Sequence, residues 1–413
     1  MSSHTSTSLP APTHDSRPGP SPEQRTTPWQ WIGVAVLALS TFVVVTSEML
    51  PIGVLTPMAD GLHISPGTAG FSLSVTGVVT AVTAPVVPRV LGALDRRVVL
   101  AAAMVVLAVG NALTAAAGGF GLLVVSRIVV GVGMGAVWGL SSAVATRLVA
   151  PRNAMLAVSC TVGGVAAASV VGVPLGTLVG NSFGWRTAFA ALTAAALLLT
   201  AGLLLVLPRL PRPAAPAGRG ESGTARQPLL RNAPVAVGLL LTVFLVTAHF
   251  AAYTYVRPVL EERTGVTPGT VALFLLLYGL FGLIGNFAAG ALAARRARHT
   301  VLGLAAGIGA SILLLALFGT VASVTGFGMA LWGLAYGGLS VAGLAWMTQS
   351  APDRVEHITG LYVGVFTAAI ALGAFLGGTV VEAAGSTPLL WSAAALAAVA
   401  LTVGVCGGRK TRS

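Results

Sequence analysis

Charge is scarce in this chain. Only 8% of its 413 residues are charged, against 55% hydrophobic, and the acids number just 11. An ordinary soluble domain carries about 25% charged residues. A composition this apolar excludes a soluble enzyme and a disordered chain. Cys160 and Cys406 are the only cysteines, too few for a disulfide framework, and both read as small core residues. The six histidines (His4, His14, His63, His249, His299 and His357) have no metal-ligand spacing. The run Gly131-Val-Gly-Met-Gly135 lies inside an apolar stretch, not after a soluble strand, so it is no dinucleotide loop. Neither a metal nor a cofactor is expected. Clustered acids, His or Cys that would mark an integral membrane enzyme are also missing.

What the chain has instead is a series of apolar runs. After a Ser-, Thr- and Pro-rich tail over 1–28, they recur from Trp29 on. Twelve are predicted: 30–55, 67–90, 98–117, 121–145, 154–178, 186–207, 233–257, 268–293, 300–318, 326–350, 358–381 and 388–406. Each is long enough to cross a ~30 Å hydrocarbon core as a helix. Transmembrane strands would give alternating segments of roughly 10 residues. The expected class is an all-α membrane protein of twelve transmembrane helices. Its 52 glycines and 23 prolines fit membrane helices.

The net charge of +12 suggests a nucleic-acid partner until the basic residues are placed. With the N-terminus inside, all of the 23 except Arg127, Arg186, Arg257 and Arg263 fall on the cytoplasmic side. That bias predicts cytoplasmic termini and accounts for the charge without nucleic acid. The longest break, 208–232, is rich in Gly, Pro and Arg and divides the spans six and six. The expected domains are a bundle over 29–207, a cytoplasmic linker over 208–232, a second bundle over 233–407 and a tail over 408–413. The halves echo each other: Gly92-Ala-Leu-Asp-Arg-Arg97 follows span two and Gly290-Ala-Leu-Ala-Ala-Arg-Arg296 follows span eight.

Two charges fall well inside spans, away from their ends. Glu48 is the only acid well within one, and a charge near the bilayer centre costs roughly 2.5–3.5 kcal/mol, so a functional role is its default reading. Burial disfavours a carboxylate and a nearby cation favours it. A carboxyl balanced between the two can load and release a proton near neutral pH. The alternative is a carboxyl with water access at the outer interface, since the span ends soon after it. Arg127 must face the protein interior or snorkel outward. Gly131, Met134, Trp138 and Ser142 follow it at three- and four-residue steps on one face. An energetic pairing of Arg127 with Glu48 is a further expectation.

Span seven places His249, Tyr253 and Arg257 on one face at four-residue spacing. Span ten carries Trp332, Tyr336, Gly343 and Trp346 on a stripe, and span eight carries Tyr278, Gly282 and Asn286. His249, Tyr253, Trp138, Asn286, Tyr336 and Trp346 are candidate substrate contacts, with π faces and a few polar groups for a planar or amphipathic ligand. Helix packing or an interfacial aromatic belt is the competing reading, and the belt suits Trp332 and Trp346. Small residues recur every fourth position at Gly164, Ala168, Gly172 and Gly176, and again at Ala369, Gly373 and Gly377. Such stripes let helix backbones approach closely, and Pro174 favours a kink.

Several motifs carry a resemblance. Ser126-Arg-Ile-Val-Val-Gly-Val-Gly-Met-Gly135 resembles the Arg-x-x-x-Gly-x-Gly motif of the major facilitator superfamily. Gly164-x7-Gly172-Val-Pro-Leu-Gly176, with Phe183-Gly-Trp-Arg-x-x-Phe189, resembles the span-five motif of that superfamily's drug:proton antiporters. Thr46-Ser-Glu-Met-Leu-Pro51 is similar to the Thr-Glu-Phe-x-Pro signature of the arabinose-efflux-like branch. Ala145-Thr-Arg-Leu-Val-Ala-Pro-Arg152 and Tyr253-Thr-Tyr-Val-Arg-Pro-Val259 look most like the purine ribonucleoside efflux pumps of that branch. The loop after span two departs from the family's Gly-x-x-x-Asp-Arg-x-Gly-Arg-Arg. With Arg96 and Arg97 aligned to the last pair, Pro88 stands at the first Gly, Gly92 at the Asp and Asp95 at the second Gly.

The resemblance implies two six-helix bundles working by alternating access. It implies proton-coupled efflux of a small neutral or weakly cationic molecule, such as a drug, nucleoside or sugar, across a bacterial cytoplasmic membrane. Glu48 and Arg127 would couple protons. Spans one, four, seven and ten would line the cavity, and Gly164, Gly172, Pro174 and Gly176 would form a gate. The expected partners are a small-molecule substrate, protons and lipid, with the protein monomeric and not an enzyme. Proton symport for uptake is the nearest alternative. A non-transporting membrane sensor is the alternative from another class.

Overall fold

A computed structural model of the chain describes residues 26–90, 94–210 and 231–407, with Pro88, Arg89, Ser142, Met155 and Glu356 described by backbone alone. Most of the expected 1–28 tail, the 211–230 stretch of the linker, Gly92 and the 408–413 tail lie outside the described residues.

Among the described residues every element is helical. In chain order they are α1 (Pro28–Gly53), α2 (Leu55–Leu62), α3 (Pro66–Val90), α4 (Arg96–Ala115), α5 (Phe120–Leu148), α6 (Ala154–Ala167), α7 (Val173–Phe183) and α8 (Trp185–Val206). After the linker come α9 (Ala233–Tyr253), α10 (Val256–Thr264), α11 (Pro268–Phe318), α12 (Ala322–Gly337), α13 (Leu339–Ser350), α14 (Val355–Ala384) and α15 (Ser386–Cys406). Eleven helical stretches are long and apolar enough to cross a membrane. The longest, α11, has 51 residues, about 76 Å at 1.5 Å each and far more than one bilayer. It breaks at Arg296 (φ −144°, ψ 56°) into two legs, so the described residues hold twelve helical stretches of crossing length. Spans eight and nine are therefore joined by a break rather than by the loop the sequence suggested. Nothing between Ala291 and Leu302 is Gly or Pro, so the helix resumes at once.

Local chemistry sets the helix ends. Thr27 and Gln30 form a reciprocal capping box ahead of α1, with Pro28 in its first turn. Asp95 caps α4, accepting from the Arg97 amide at 3.0 Å. The two halves repeat each other in detail. In the first, α1 is followed by the short α2, a left-handed residue (His63, φ 54°) and then α3. In the second, α9 is followed by the short α10, a left-handed residue (Gly265, φ 64°) and then α11. Gly184 (φ 88°) before α8 matches Gly385 (φ 82°) before α15, each allowing a sharp turn that other residues resist.

Three expected spans are broken, span ten at Gly338 between α12 and α13, and spans five and seven at prolines. Pro174 lacks an N–H, and ahead of it the chain widens into a π-turn over Ala168–Gly172 between α6 and α7. Span seven ends at Tyr253, not at 257. Pro258 cannot donate to the Thr254 carbonyl, and the chain turns at Tyr255 (φ −106°, ψ 17°) before α10 starts. Arg257 therefore sits on α10, not on one helical face with His249 and Tyr253.

Apolar burial alone does not hold helices together in lipid, so close backbone approach must contribute. On α11 and α12 the glycines meet backbone directly. A Cβ at Gly333 would strike the Tyr278 carbonyl, one at Gly337 the Gly282 carbonyl, and one at Gly285 the Leu334 carbonyl. The equivalent contact in the first half sets Gly131 and Gly135 of α5 against the Thr76 and Thr80 carbonyls of α3. Gly373 and Gly377 of α14 lie against the Thr247 and Ala251 carbonyls of α9. Cys160 and Cys406 are exposed, so the core reading of both is wrong.

The end of the bundle where α1 and α9 begin is called proximal here, and the end carrying α2 and α10 distal. At the proximal end the chain leaving α8 is stitched to the start of α4. The Leu210 amide donates to Asp95 Oδ1 at 2.9 Å, the Arg96 amide donates to the Leu210 carbonyl at 3.1 Å, and Arg97 Nη1 donates to the Leu207 carbonyl at 3.1 Å. The carboxylate standing where the family pattern has glycine thus holds the start of the linker.

Candidate functional site

Five rings gather inside the second half. His249 and Tyr253 come from α9, Tyr278 from α11, and Trp332 and Tyr336 from α12. The His249 and Tyr336 rings are stacked 3.6 Å apart and within 3° of parallel. Tyr253 stacks on Tyr278 at 4.4 Å and on His249 at 5.1 Å. Trp332 stands edge-on to His249 and donates from Nε1 to His249 Nδ1 at 2.9 Å. The Tyr278 hydroxyl is 3.4 Å from His249 Nε2. His249 and Trp332 are 0% exposed, whereas Tyr336 is half-buried. An interfacial belt is therefore the wrong reading for Trp332. It starts ten residues into a helix that begins at 322, and it lies at the centre of the cluster.

Glu48 of α1 belongs to the other half. It is half-buried and lies within electrostatic reach of Tyr336. Among the described residues its carboxyl forms no hydrogen bond or ion pair. Arg127 of α5 is 1% exposed and points elsewhere. Its Nη1 donates to the Ser47 carbonyl at 3.2 Å, and its guanidinium lies 5.0 Å from the Phe189 ring centre. Its Nε and Nη2 have no partner. Ser47 also accepts from Asn111 Nδ2 at 3.0 Å, so this turn of α1 is held from both α4 and α5.

The glycine stripe of α6 and α7 runs along the helix that carries Glu48. A Cβ at Gly164 would meet the Ala38 carbonyl and Thr41 Oγ1, one at Gly172 would meet Thr46 Oγ1, and one at Gly176 would come 2.7 Å from Leu50 Cδ1. Pro174 is buried just beyond the π-turn. On its other side the π-turn touches the second half, because a Cβ at Gly279 of α11 would meet the Ser169 carbonyl and lie 2.7 Å from Val170 Cα.

At the distal end the halves are sealed together. Arg257 Nη1 donates to the Gly53 carbonyl at 2.5 Å and to Asn181 Oδ1 at 2.9 Å. Its Nε pairs with Glu261 Oε1 at 2.8 Å. Burial lowers the affinity of this guanidinium for its proton, while Glu261 and Asp60 oppose the effect. Thr56 donates to Glu261 Oε2 at 2.5 Å, Asn181 Nδ2 to the Pro268 carbonyl at 3.0 Å, and Ser65 to Glu382 Oε2 at 2.5 Å. Tyr255 is the plug of this seal. Its ring fills the notch left by Gly70 of α3 and Gly377 of α14, and its hydroxyl donates to the Ala374 carbonyl at 2.8 Å with the Gly67 carbonyl 3.4 Å away.

The predicted residues are thus partly brought together. His249, Tyr253 and Tyr336 share one cluster, with Glu48 beside it. Trp138 is 39% exposed on α5, with no ring contact. Asn286 is half-buried on α11, two turns past Tyr278, without a side-chain hydrogen bond. Trp346 packs at the proximal end, near Gly238 of α9 and beside Arg295 and Gln349. Tyr278 and Trp332, present in the sequence stripes but not chosen as contacts, complete the cluster. Tyr255, Asn181 and Glu261 carried no periodic signal. The residue type that marks Tyr255 is the pair of facing glycines, more than a hundred positions away.

Comparison with known proteins places this architecture. The family model described as Major Facilitator Superfamily matches residues 37–363 and 259–408. A Pseudomonas aeruginosa protein named transcription regulatory protein OpdE is 32% identical over 370 residues, covering 90% of this chain and 92% of its own. The Escherichia coli purine ribonucleoside efflux pump NepI is 31% identical over 377 residues, covering 90% of this chain and 93% of its own. Among solved structures, a bacterial homolog of the human lysosomal transporter Spinster, in an inward-facing and unoccupied conformation, has a TM-score of 0.77 at 14% identity, covering 93% of this chain and 98% of its own. The nucleoside transporter NupG has a TM-score of 0.75 at 12% identity, covering 92% and 99%. Twelve helical stretches of crossing length in two repeated halves and a family match across most of the length lead to one conclusion: the chain is a multi-pass membrane transport protein of the major facilitator superfamily.

Proposed function

We propose that the protein is a proton-coupled exporter of a small, planar, neutral or weakly cationic molecule, a purine ribonucleoside being the first candidate. The observation that carries this reading is the pairing of a free carboxyl, Glu48, with the aromatic cluster across the boundary between the halves. That the NepI relative is named a purine ribonucleoside efflux pump supports both the direction and the substrate class. The sealed distal end belongs to a state closed to the outside, given cytoplasmic termini. In the reading proposed, Glu48 takes a proton when the distal end is open and keeps it while the bundles rock against each other. Inside, it releases the proton as substrate settles against Tyr336, with Arg127 favouring the ionised form. Gly164, Gly172, Pro174 and Gly176 let α6 and α7 slide on α1, and Trp138, Asn286 and Trp346 line the path.

The test is transport in proteoliposomes of known orientation. An imposed pH gradient should drive a radiolabelled purine ribonucleoside against its gradient, and adding substrate should move protons in the opposite direction. Co-directional proton movement would make the protein a symporter. A second reading, a membrane sensor, draws on the OpdE relative being named a transcription regulatory protein. It predicts substrate binding without flux in either assay.

A further inference from the structure

We propose that Trp332 is a positioning residue for substrate, acting through His249 on Tyr336. The inference rests on the reading of Tyr336 as a substrate contact and goes beyond it. An indole N–H can only donate, so the Trp332 contact at 2.9 Å assigns the lone pair to His249 Nδ1. The ring hydrogen is then on Nε2, which faces the Tyr278 hydroxyl at 3.4 Å. Hydrogen bonds at imidazole nitrogens lie in the plane of the ring. Two of them, on opposite sides, fix an axis through the ring, and the rings stacked on the imidazole limit rotation about that axis.

Tyr336 is parallel to the imidazole within 3° at 3.6 Å, so its own plane is inherited from His249. The rest of the packing supports the arrangement. Phe250 closes on His249 edge-on at 4.8 Å, and Tyr253 stacks against it at 5.1 Å, so the imidazole is enclosed on several sides. Tyr336 alone among the core of this cluster is half-buried rather than buried, and it is the ring within reach of Glu48. A planar ligand stacking on Tyr336 therefore meets a surface whose tilt was set three residues deep. With both nitrogens occupied, His249 serves as a rigid spacer and not as the carrier of the transported proton.

The experiment compares wild type with Trp332→Phe, which keeps an aromatic ring but removes the donor. In ¹⁵N spectra of the protein in lipid, with the His249 signals assigned by their loss in His249→Gln, wild type should have an unprotonated Nδ1 and a protonated Nε2. Trp332→Phe should mix the tautomers. Losing one neutral hydrogen bond should raise the KM for a purine ribonucleoside about three- to tenfold, with kcat unchanged. A protonated Nδ1 in wild type, or an unchanged KM in a folded Trp332→Phe, would overturn the proposal. If wild type binds no purine ribonucleoside, the functional reading fails, while the tautomer still decides the positioning role. Should Trp332→Phe not fold, Tyr278→Phe removes the opposite anchor, and the same KM rise is expected.

Discussion

Arg127 reaches the carbonyl oxygen of Ser47, at 3.2 Å, and not the carboxyl of the next residue, Glu48. Successive residues on a helix point about 100° apart. One turn of α1 therefore carries a cation bound on its inner side and a free carboxyl on the side facing the other half. The two charges inside spans of the first half are neighbours through the backbone but are not paired. Carrying protons inward on a single site needs such a division, since a carboxylate fixed in an ion pair would not take up a proton readily.

Glu48→Gln should therefore insert and fold normally. In vesicles it should lose transport driven by a pH gradient while retaining exchange of labelled for unlabelled substrate. Undiminished gradient-driven transport in that variant would rule out Glu48 as the proton carrier.

Arg127 leads to a prediction about stability with a sign. Its Nε and Nη2 are buried without partners, and an incompletely satisfied buried cation is a burden on the fold. Replacement of buried ionic groups by apolar residues of similar volume is often neutral or stabilising by about 1–4 kcal/mol. Arg127→Leu should thus keep or raise the Tm of the purified protein while abolishing proton coupling. A fall in Tm beyond about 5 °C would mean the guanidinium is chiefly structural.

The distal seal should respond to Arg257. Arg257→Gln removes charge-assisted bonds to Gly53 and Asn181, each worth about 1.5–3 kcal/mol. The outward-open population should rise at least about tenfold, since 1.4 kcal/mol is a factor of ten. Labelling of a cysteine placed at Tyr336, with Cys160 and Cys406 replaced by Ser, by a membrane-impermeant thiol reagent from outside would measure it. Tyr255→Ala should act in the same direction.

Two glycines on facing surfaces should behave differently when given a methyl group. Gly337→Ala meets the Gly282 backbone within one half, so it should lower yield and Tm whatever the state of the transporter. Gly279→Ala meets Val170 and Ser169 across the boundary between halves. It should leave Tm nearly unchanged and shift the population away from the distally closed state, read by the same labelling.

The sequence carries the crossings plainly, because an apolar run of bilayer length has few other uses, and a charge inside one is conspicuous at once. That logic reached Glu48 and Arg127. Four-residue steps put His249 and Tyr253 on one helical face, whereas Tyr336, on another span, joined them only through the cavity lining that the resemblance implies. The periodicity failed where the helix itself stopped. Pro258 was the available signal that Arg257 had left the face of His249, and the hydrophobic run concealed it. Tyr255 was invisible for another reason. Its notch is built by Gly70 and Gly377 from different halves, and no local period records such a meeting. The role of Asp95 was hidden likewise, since its partner Leu210 lies on the far side of the first bundle in sequence.

That stitch has a mechanical consequence. Leu210 is fastened to the head of α4, and Asn232 is fastened to the Ser350 carbonyl at 2.9 Å. Each end of the connecting segment thus travels with its own bundle. About 20 residues separate them in sequence, a stretch whose greatest possible span is roughly 70 Å. With both ends of the segment fastened, each to its own bundle, the rocking angle of the proposed transport cycle should be set where the bundles touch. Cutting the chain between 211 and 230 should leave two pieces that still assemble and still move.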